Sequence, residues 1–152
     1  MRITLFEPDI AGNVGTILRT AACFGVPVDL IEPMGFPWGD RALRRAGMDY
    51  TAAGDVTRHV DWAAFTARRA PPSARLVLAT TRGAVDLWDA RFEPDDVLVF
   101  GSEGAGVPDH VHEAADLRVR IPIRPGFRSL NVAISAGIIL AEALRQTRES
   151  ST

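Results

Sequence analysis

The apolar positions of the chain follow two alternating spacings. Short runs of apolar and β-branched residues predict buried strands, and these runs lie at Arg2–Glu7, Val28–Glu32, Val56–Val60, Arg75–Thr80, Asp96–Phe100 and Leu117–Ile121. Apolar residues three or four positions apart predict helices between the strands, at Asn13–Phe24, Asp40–Ala46, Asp61–Arg69, Pro108–Ala115 and Ser129–Arg148. Strand and helix alternate throughout, which predicts an α/β fold in which a mostly parallel sheet carries helices on both faces.

The last predicted helix is unusual because it is apolar on nearly every side. It follows a loop that carries Arg124, Pro125, Gly126 and Arg128, and its first half is the apolar run Val132–Leu140. A helix with one buried face keeps polar residues on the opposite face. We therefore expect this helix to be buried on more than one side.

Length and charge narrow the possible classes of protein. The 152 residues are enough for one domain, and neither a repeat nor a linker divides them, so we expect a single domain over residues 1–152. The formal net charge of −2 argues against nucleic-acid binding through bulk positive charge. Any contact with RNA has to come from a local cluster of arginines.

Cysteine usage and hydropathy favour a soluble, cytoplasmic protein. Cys23 is the only cysteine, which rules out a disulfide within the chain, and its apolar surroundings predict a small buried side chain. The N-terminus lacks the apolar core of a signal peptide, and Val132–Leu140 is too short to span a bilayer. The three histidines lack the spacing of a zinc site, so we expect no metal and interpret them as structural or solvated.

Polar residues follow the first predicted strand, at the position where ligands bind in an open parallel sheet. Asn13 is either the cap of the next helix or part of a site. Arg19 interrupts an apolar stretch of that helix, and its guanidinium needs solvent, a carboxylate or a ligand. The segment has neither the GxGxxG pattern of dinucleotide-binding proteins nor a P-loop motif.

Two further polar clusters follow later strands. The glycine-rich loop Gly101–Gly106 contains Glu103, whose charge repels phosphate, so a ligand with hydroxyls, amines or a positive charge fits better. Glu103 is alternatively a brace that accepts hydrogen bonds from backbone amides. The strand that ends at Ile121 leads into a loop with four polar residues, Arg124, Arg128, Ser129 and Asn131.

In this order, the three clusters resemble the motifs of the SPOUT RNA 2′-O-ribose methyltransferases. The matching stretches are Asn13-x-Gly15-x3-Arg19, Gly101-Ser102-Glu103-Gly104-x-Gly106, and Ile121-Pro122-Ile123 with Ser129-Leu130-Asn131-Val132. The resemblance covers about residues 1–147. Ile31–Phe36 and Leu43–Tyr50 are similar to the single-domain branch that methylates the wobble ribose of leucine tRNAs, on cytidine or modified uridine at position 34.

The resemblance implies a fold and a site that spacing alone does not predict. It implies a deep C-terminal trefoil knot and a homodimer whose interface contains the last helix. Such a helix is buried on two sides, and five apolar residues fit that role: Val132, Ile134, Ile138, Ile139 and Leu144. It implies S-adenosyl-L-methionine as cofactor, with a pocket lined by Ala79, Gly101, Glu103, Gly106, Ile121 and Ser129. It also implies a catalytic cluster of Asn13, Arg19, Ser129 and Asn131. Because an arginine stays protonated, we expect Arg19 to stabilise and orient the reacting hydroxyl rather than act as a base.

Local arginines supply the expected contacts with a tRNA anticodon stem-loop. Arg41, Arg44 and Arg45 share one face of a short predicted helix, next to the aromatic residues of Phe36–Trp38, a combination that suits single-stranded RNA. The alternative is an ordinary solvated helix face. By the resemblance, Arg124 and Arg128 face the RNA as well.

Three other functions stay open at this point. A general nucleotide-binding α/β domain would carry its glycine loop after the first strand, whereas here the loop comes late. A non-catalytic RNA-binding homodimer would have no need for Arg19, Glu103, Ser129 and Asn131 as a set. Methylation of another tRNA position or of ribosomal RNA would use the same chemistry on a different substrate.

Overall fold

The computed structural model describes residues 1–39, 41–46, 55–69 and 71–149. Seven strands lie in these ranges: β1 Arg2–Phe6, β2 Val28–Ile31, β3 Val56–His59, β4 Leu76–Ala79, β5 Val85–Asp86, β6 Val97–Phe100 and β7 Leu117–Arg120. The helices described there are α1 Ala11–Phe24, α2 Arg41–Ala46, α3 Trp62–Arg68, α4 Asp109–Ala114 and α5 Val132–Glu149. Asp40, the first residue of the predicted helix Asp40–Ala46, lies outside the described residues. None of the described helices is long and apolar enough to cross a membrane.

The strands form one sheet in the order β3-β2-β1-β6-β4-β7-β5, and each neighbouring pair is parallel. This confirms the predicted α/β class. The sequence did not predict β5, because two residues are too few to show a periodic pattern. Among the described strands they pair with β7, where Val85 lies beside Val119 and Asp86 beside Arg120.

Helices cover both faces of the sheet, as predicted. Alternate residues along a strand point to opposite faces, and the strands accordingly contribute to two separate cores. In one core the strands pack against α1 and α5, whose contributions include Ile17 and Leu140. In the other they pack against Phe65 of α3 and Val111 of α4.

The two longest helices, α1 and α5, lie side by side and run in the same direction. Their N-termini are joined by the side chains of Asn13 and Asn131, whose Oδ1 and Nδ2 are 3.0 Å apart. At the other end, Arg148 donates to the backbone carbonyl of Phe24 at 3.0 Å. The first turns of both helices are therefore held together at the edge of the sheet where β1, β6 and β7 end.

The starts of both helices differ from the predictions. Helix α1 begins at Ala11, two residues early, so Asn13 lies in its first turn and does not cap it. Helix α5 begins at Val132 and not at Ser129. The reason is that Asn131 caps α5, with its Oδ1 accepting from the amides of Ala133 at 2.8 Å and Ile134 at 3.2 Å.

The expected burial of α5 on several sides is only partly present within one chain. Its small residues Ala133, Ala136 and Ala143 are buried, but Ile134 is 56% exposed. Ile139 is buried in the core of this chain, on the side of α5 that faces the sheet. Cys23 is likewise exposed rather than buried, because it lies two residues beyond the buried Ala21 and points to the opposite side of α1.

Candidate functional site

A cleft of about 920 Å³ opens where β4, β6 and β7 end. Its walls come from the turn after β4, the glycine-rich loop after β6 and the loop between β7 and α5. The first turns of α1 and α5 close one side through Asn13, Asn131 and Ser135. This is the position at which an open parallel sheet binds ligands, and the volume is ample for a small organic molecule.

The glycine-rich loop folds tightly back on itself. Ser102 and Gly106 exchange backbone hydrogen bonds of 3.0 Å and 2.9 Å. A Cβ added to Gly101 would lie 2.6 Å from the carbonyl carbon of Gly106, which no side chain tolerates. Gly106 itself has a φ of +65°, which favours glycine. Both glycines are thus required for the wall of the cleft.

Glu103 joins this loop to the start of α1. Its Oε2 accepts from the backbone amide of Asp9 at 2.9 Å, and its Oε1 accepts from Nδ2 of Asn13 at 3.1 Å. In return, Oδ2 of Asp9 accepts from the amide of Gly104 at 3.1 Å. Of the two roles that the sequence allows for Glu103, the structural brace is therefore present. The same carboxylate also lines the cleft.

One hydrogen-bonded chain connects all three sequence motifs. Glu103 accepts from Asn13, and Asn13 in turn accepts from Asn131. Because Asn131 also caps α5 through its oxygen, its amide can face only one way. That orientation fixes the amide of Asn13, whose nitrogen must then point at Glu103. The network holds both asparagines rigidly at the edge of the cleft.

The loop between β7 and α5 presents its backbone to the cleft. Among the described residues, segment 121–130 makes one backbone hydrogen bond, from Phe127 to the carbonyl of Arg124 at 3.4 Å. The hydroxyl of Ser129 is exposed in the same loop. Peptide donors and acceptors beside an open cleft are suited to the edge of a heterocyclic base and to hydroxyl groups.

All the expected cofactor-binding residues line this one cleft: Ala79, Gly101, Glu103, Gly106, Ile121 and Ser129. Three of the four expected catalytic residues, Asn13, Ser129 and Asn131, line it as well. Arg19 does not, although it is exposed on α1. It lies six positions after Asn13, which in an α-helix is about 9 Å along the axis and a third of a turn around it.

The arginines expected to contact RNA fall into two places. Arg124 and Arg128 are exposed and line the cleft. The other three, Arg41, Arg44 and Arg45, are exposed on α2, which packs against α1 and does not contribute to the cleft.

The aromatic residues next to α2 are less available for stacking than the sequence indicated. Phe36 and Trp38 are half-buried and pack against the core. The guanidinium carbon of Arg58 lies 5.0 Å from the centre of the Trp38 ring. Arg58 also pairs with Glu32. A cation therefore already covers the indole face that an RNA base would need.

Sequence reasoning missed a titratable residue in the cleft. His112, from α4, lines it and is only 7% exposed. Burial, together with the charges of Arg82 and Arg118, lowers the pKa of His112, while Asp109 acts in the opposite direction. These surroundings therefore favour the neutral form of the imidazole. The only signal in the sequence was its place beside Val111 on a short helix, which does not distinguish a core residue from a binding residue.

In the described ranges no group of acidic, cysteine or histidine side chains could hold a metal ion.

Comparison with known proteins agrees with this geometry. Residues 1–141 match the SpoU rRNA Methylase family. A tRNA (cytidine(34)-2'-O)-methyltransferase from Ancylobacter novellus is 52% identical over 147 residues, 97% of this chain and 93% of that protein. A structure described as giving insights into the 2-OH methylation of C/U34 on tRNA superposes with a TM-score of 0.90 at 39% identity, over 95% of this chain and 94% of that one. An AdoMet-bound rRNA methyltransferase from Sinorhizobium meliloti superposes with a TM-score of 0.85 at 30% identity, over 95% of this chain and 55% of that one.

Proposed function

The chain belongs to the SpoU rRNA methylase family, and we propose that it transfers a methyl group from S-adenosyl-L-methionine to the 2′-hydroxyl of nucleotide 34 of tRNA. The observation that carries the proposal is the network from Glu103 through Asn13 to Asn131, which gathers the three motifs around one cleft. The 52% identity to a cytidine-34 enzyme, against 30% to an rRNA methyltransferase, favours tRNA over ribosomal RNA.

The residues of the cleft fit the cofactor. Segment 121–130 offers backbone donors and acceptors, and Ala79, Ile121 and Leu130 offer apolar contacts for an adenine ring. Glu103 adds a negative charge, which suits a ligand with a sulfonium. When bound, S-adenosyl-L-methionine supplies a methyl group that is already activated for displacement. The protein then has to position the ribose hydroxyl, remove its proton and stabilise the developing negative charge.

Arg19 supplies the positive charge for that hydroxyl in this proposal. Arg19 stays protonated, so it stabilises the forming alkoxide and orients the ribose, and the hydroxyl proton passes to a phosphate of the RNA or another group. Because Arg19 does not line the cleft of its own chain, it acts in the cleft of a second copy. Asn13, Ser129 and Asn131 complete the cluster from the chain that holds the cofactor, with the two asparagines fixed by their mutual hydrogen bond.

A homodimer follows from the same requirement. Four exposed apolar side chains lie on α5 and in the loop before it: Ile123, Phe127, Leu130 and Ile134. Side chains of this size are exposed together mainly where another molecule covers them. A second copy placed on this surface would complete the burial of α5 that its sequence predicts.

We also propose that the chain forms the trefoil knot implied by the resemblance. Strand β7 lies between β4 and β5, although β4 and β5 follow each other directly along the chain. The chain then leaves β7 and returns to pack α5 against α1. A late strand inserted between two earlier, consecutive strands supports this threading.

The substrate is the anticodon stem-loop of tRNA, with leucine tRNAs as the expected isoacceptors, and the reaction belongs in the cytoplasm, where mature tRNA is used. Arg124 and Arg128 at the cleft contact the phosphates next to nucleotide 34. Arg41, Arg44 and Arg45 on α2 contact the RNA further along.

The test is methyl transfer from labelled S-adenosylmethionine to two separate RNA pools, bulk tRNA and ribosomal RNA, from a strain that lacks this protein, followed by mapping of the labelled nucleotide. We expect label on the ribose of nucleotide 34. Label on the ribose of another tRNA nucleotide or in ribosomal RNA would disprove nucleotide 34 as the target but would support the methyl-transfer reaction. An absence of label with both RNA pools would reject the enzyme and favour an RNA-binding protein.

A further inference from the structure

We infer that His112 donates a hydrogen bond from Nε2 to an oxygen atom of the bound cofactor, and so acts as a binding residue of the cleft. The inference rests on the proposed function, since it assumes that the cleft holds S-adenosylmethionine. It concerns a residue of α4, outside the three sequence motifs, that lines the same cleft.

The first step is the position of the ring. His112 lies in the second half of α4 and lines the cleft together with Thr80 and Arg82. Its backbone carbonyl accepts two hydrogen bonds from the Arg118 guanidinium, at 3.2 Å from Nε and 2.7 Å from Nη2. These two contacts from β7 fix the backbone of His112 relative to the sheet.

The second step concerns the buried nitrogen. Nδ1 of His112 is buried and has no hydrogen-bond partner among the described residues. A neutral imidazole carries one N–H and one lone pair. A buried N–H without an acceptor is rarer in proteins than an unsatisfied acceptor. The proton therefore belongs on Nε2, which becomes the donor that can meet a ligand.

The third step is the charge around the ring. Arg82 from the turn after β4 and Arg118 from β7 are close enough to disfavour protonation, and Asp109 from α4 partly offsets them. Asp109 also holds Arg82 at 3.1 Å. The donor thus lies in positive surroundings, which favour an oxygen acceptor. The cofactor offers two of this kind, a ribose hydroxyl and the methionine carboxylate.

The experiment compares three substitutions that separate the two ring nitrogens. His112→Leu removes both nitrogens, His112→Asn keeps an amide near the position of Nδ1, and His112→Gln keeps one near the position of Nε2. Binding is measured by calorimetry for S-adenosylhomocysteine and for methylthioadenosine, which lacks the carboxylate. We expect His112→Leu and His112→Asn to weaken S-adenosylhomocysteine binding by about 3-fold to 10-fold, the effect of losing one hydrogen bond, and His112→Gln to retain it.

Melting temperature separates binding from structure. His112→Leu removes an unsatisfied buried nitrogen, so we expect its melting temperature to equal or exceed that of the wild type while its affinity falls. Weaker binding of S-adenosylhomocysteine alone would identify the carboxylate as the acceptor. Weaker binding of both ligands would identify a ribose hydroxyl. Either result supports the inference.

Three results would overturn it. In the first, His112→Leu binds both ligands as the wild type does; if the wild type still methylates tRNA, the proposed function stands and only this inference fails. In the second, affinity and melting temperature fall together in all three variants, which indicates a purely structural role. In the third, the wild type binds no S-adenosylhomocysteine, and the proposed function fails as well.

Discussion

Asn131 donates from Nδ2 to Oδ1 of Asn13 at 3.0 Å, and this bond joins residues 118 positions apart in the chain. The same Asn131 caps α5 through its oxygen. One side chain therefore sets the start of the last helix and orients a residue of the cleft. Stability and activity are coupled here, and substitutions can separate them.

Asn131→Ala should lose both functions of this residue. The lost cap should lower the free energy of unfolding by about 1 kcal/mol, measured by urea denaturation. Asn131→Asp is the matched control, because aspartate caps a helix equally well but cannot donate to Asn13. We expect near wild-type stability and poor methyl transfer from Asn131→Asp. Full activity in that variant would show that the bond to Asn13 is not needed.

Glu103→Gln should loosen the glycine-rich loop. The carboxylate accepts one hydrogen bond with each oxygen, and a glutamine has only one acceptor oxygen for the two donors from Asp9 and Asn13. We expect cofactor affinity to fall about tenfold, measured by calorimetry. Glu113→Gln, an exposed residue of α4 with the same change of charge, serves as control. Equal affinities of the two variants would remove Glu103 from the site.

Arg19→Ala should abolish turnover without affecting cofactor binding. Removing a donor that stabilises a developing oxyanion costs about 3 kcal/mol, or 10²-fold to 10³-fold in rate. Calorimetry with S-adenosylhomocysteine should give the wild-type affinity, because the proposed partner of Arg19 is the ribose hydroxyl of the RNA and not the cofactor. Turnover near the wild-type rate would remove Arg19 from the mechanism.

Mixed dimers test whether Arg19 acts across an interface. Gly101→Val should block the cofactor, because even a Cβ at this position collides with Gly106. A dimer of one Arg19→Ala chain and one Gly101→Val chain contains one complete site only if Arg19 acts in the partner's cleft. We expect about a quarter of the wild-type activity from chains that are co-expressed in equal amounts and assort at random, because half of the dimers are mixed and each of these has one complete site of two. If the two single variants are inactive and their mixed dimer is inactive as well, Arg19 acts in its own cleft or takes no part in the reaction.

The exposed apolar surface of α5 should be a dimer interface. Ile134→Asp places a charge on the exposed side of this helix, so we expect sedimentation to show a shift from dimer to monomer. Val60→Asp, at an equally apolar exposed position after β3, should leave the oligomeric state unchanged. A wild-type monomer at micromolar concentration would contradict the proposed homodimer.

Glu142 should make stability depend on acid pH. Hydrogen bonds from Arg145 and then from Gln146 lower the pKa of Glu142 from 4.5 to about 2. Because the folded state lowers this pKa, the stabilisation is complete above about pH 4.5 and is lost as the pH falls towards 2. Urea denaturation of Glu142→Gln should show a weaker loss of stability across that range than the wild type. Parallel curves for the two proteins would disprove the assignment.

The sequence predicted the alternation of strands and helices because an element that buries one face has apolar residues at a regular spacing. It also placed Asn13, Glu103 and Asn131 at strand ends, where the structure brings them together. It could not predict which side chains bond across 90 or more positions, because such contacts leave no local pattern. The hydrogen bonds of Glu103 are contacts of this kind, and the cap at Asn131 depends on where α5 begins.

Other features depend on the direction in which a helix faces. The sequence neighbours of Cys23 are apolar, but the rotation of α1 about its axis points this side chain to the surface. The same rotation keeps Arg19 away from the cleft that Asn13 lines. His112 lies in the cleft because α4 places it there, whereas a histidine without the spacing of a metal site gives no sign of a functional role in the sequence.

The most direct test of the central claim compares the methylation of two leucine tRNAs of identical sequence. One carries a 2′-deoxynucleotide at position 34, and the other, the unaltered tRNA, carries the ordinary ribonucleotide there. Only the acceptor oxygen differs between the two substrates. The proposed reaction predicts stoichiometric methyl transfer to the unaltered tRNA and none to the deoxy-substituted one, with similar binding of both. Equal transfer to both substrates would show that the methyl group goes to another atom and would contradict the account.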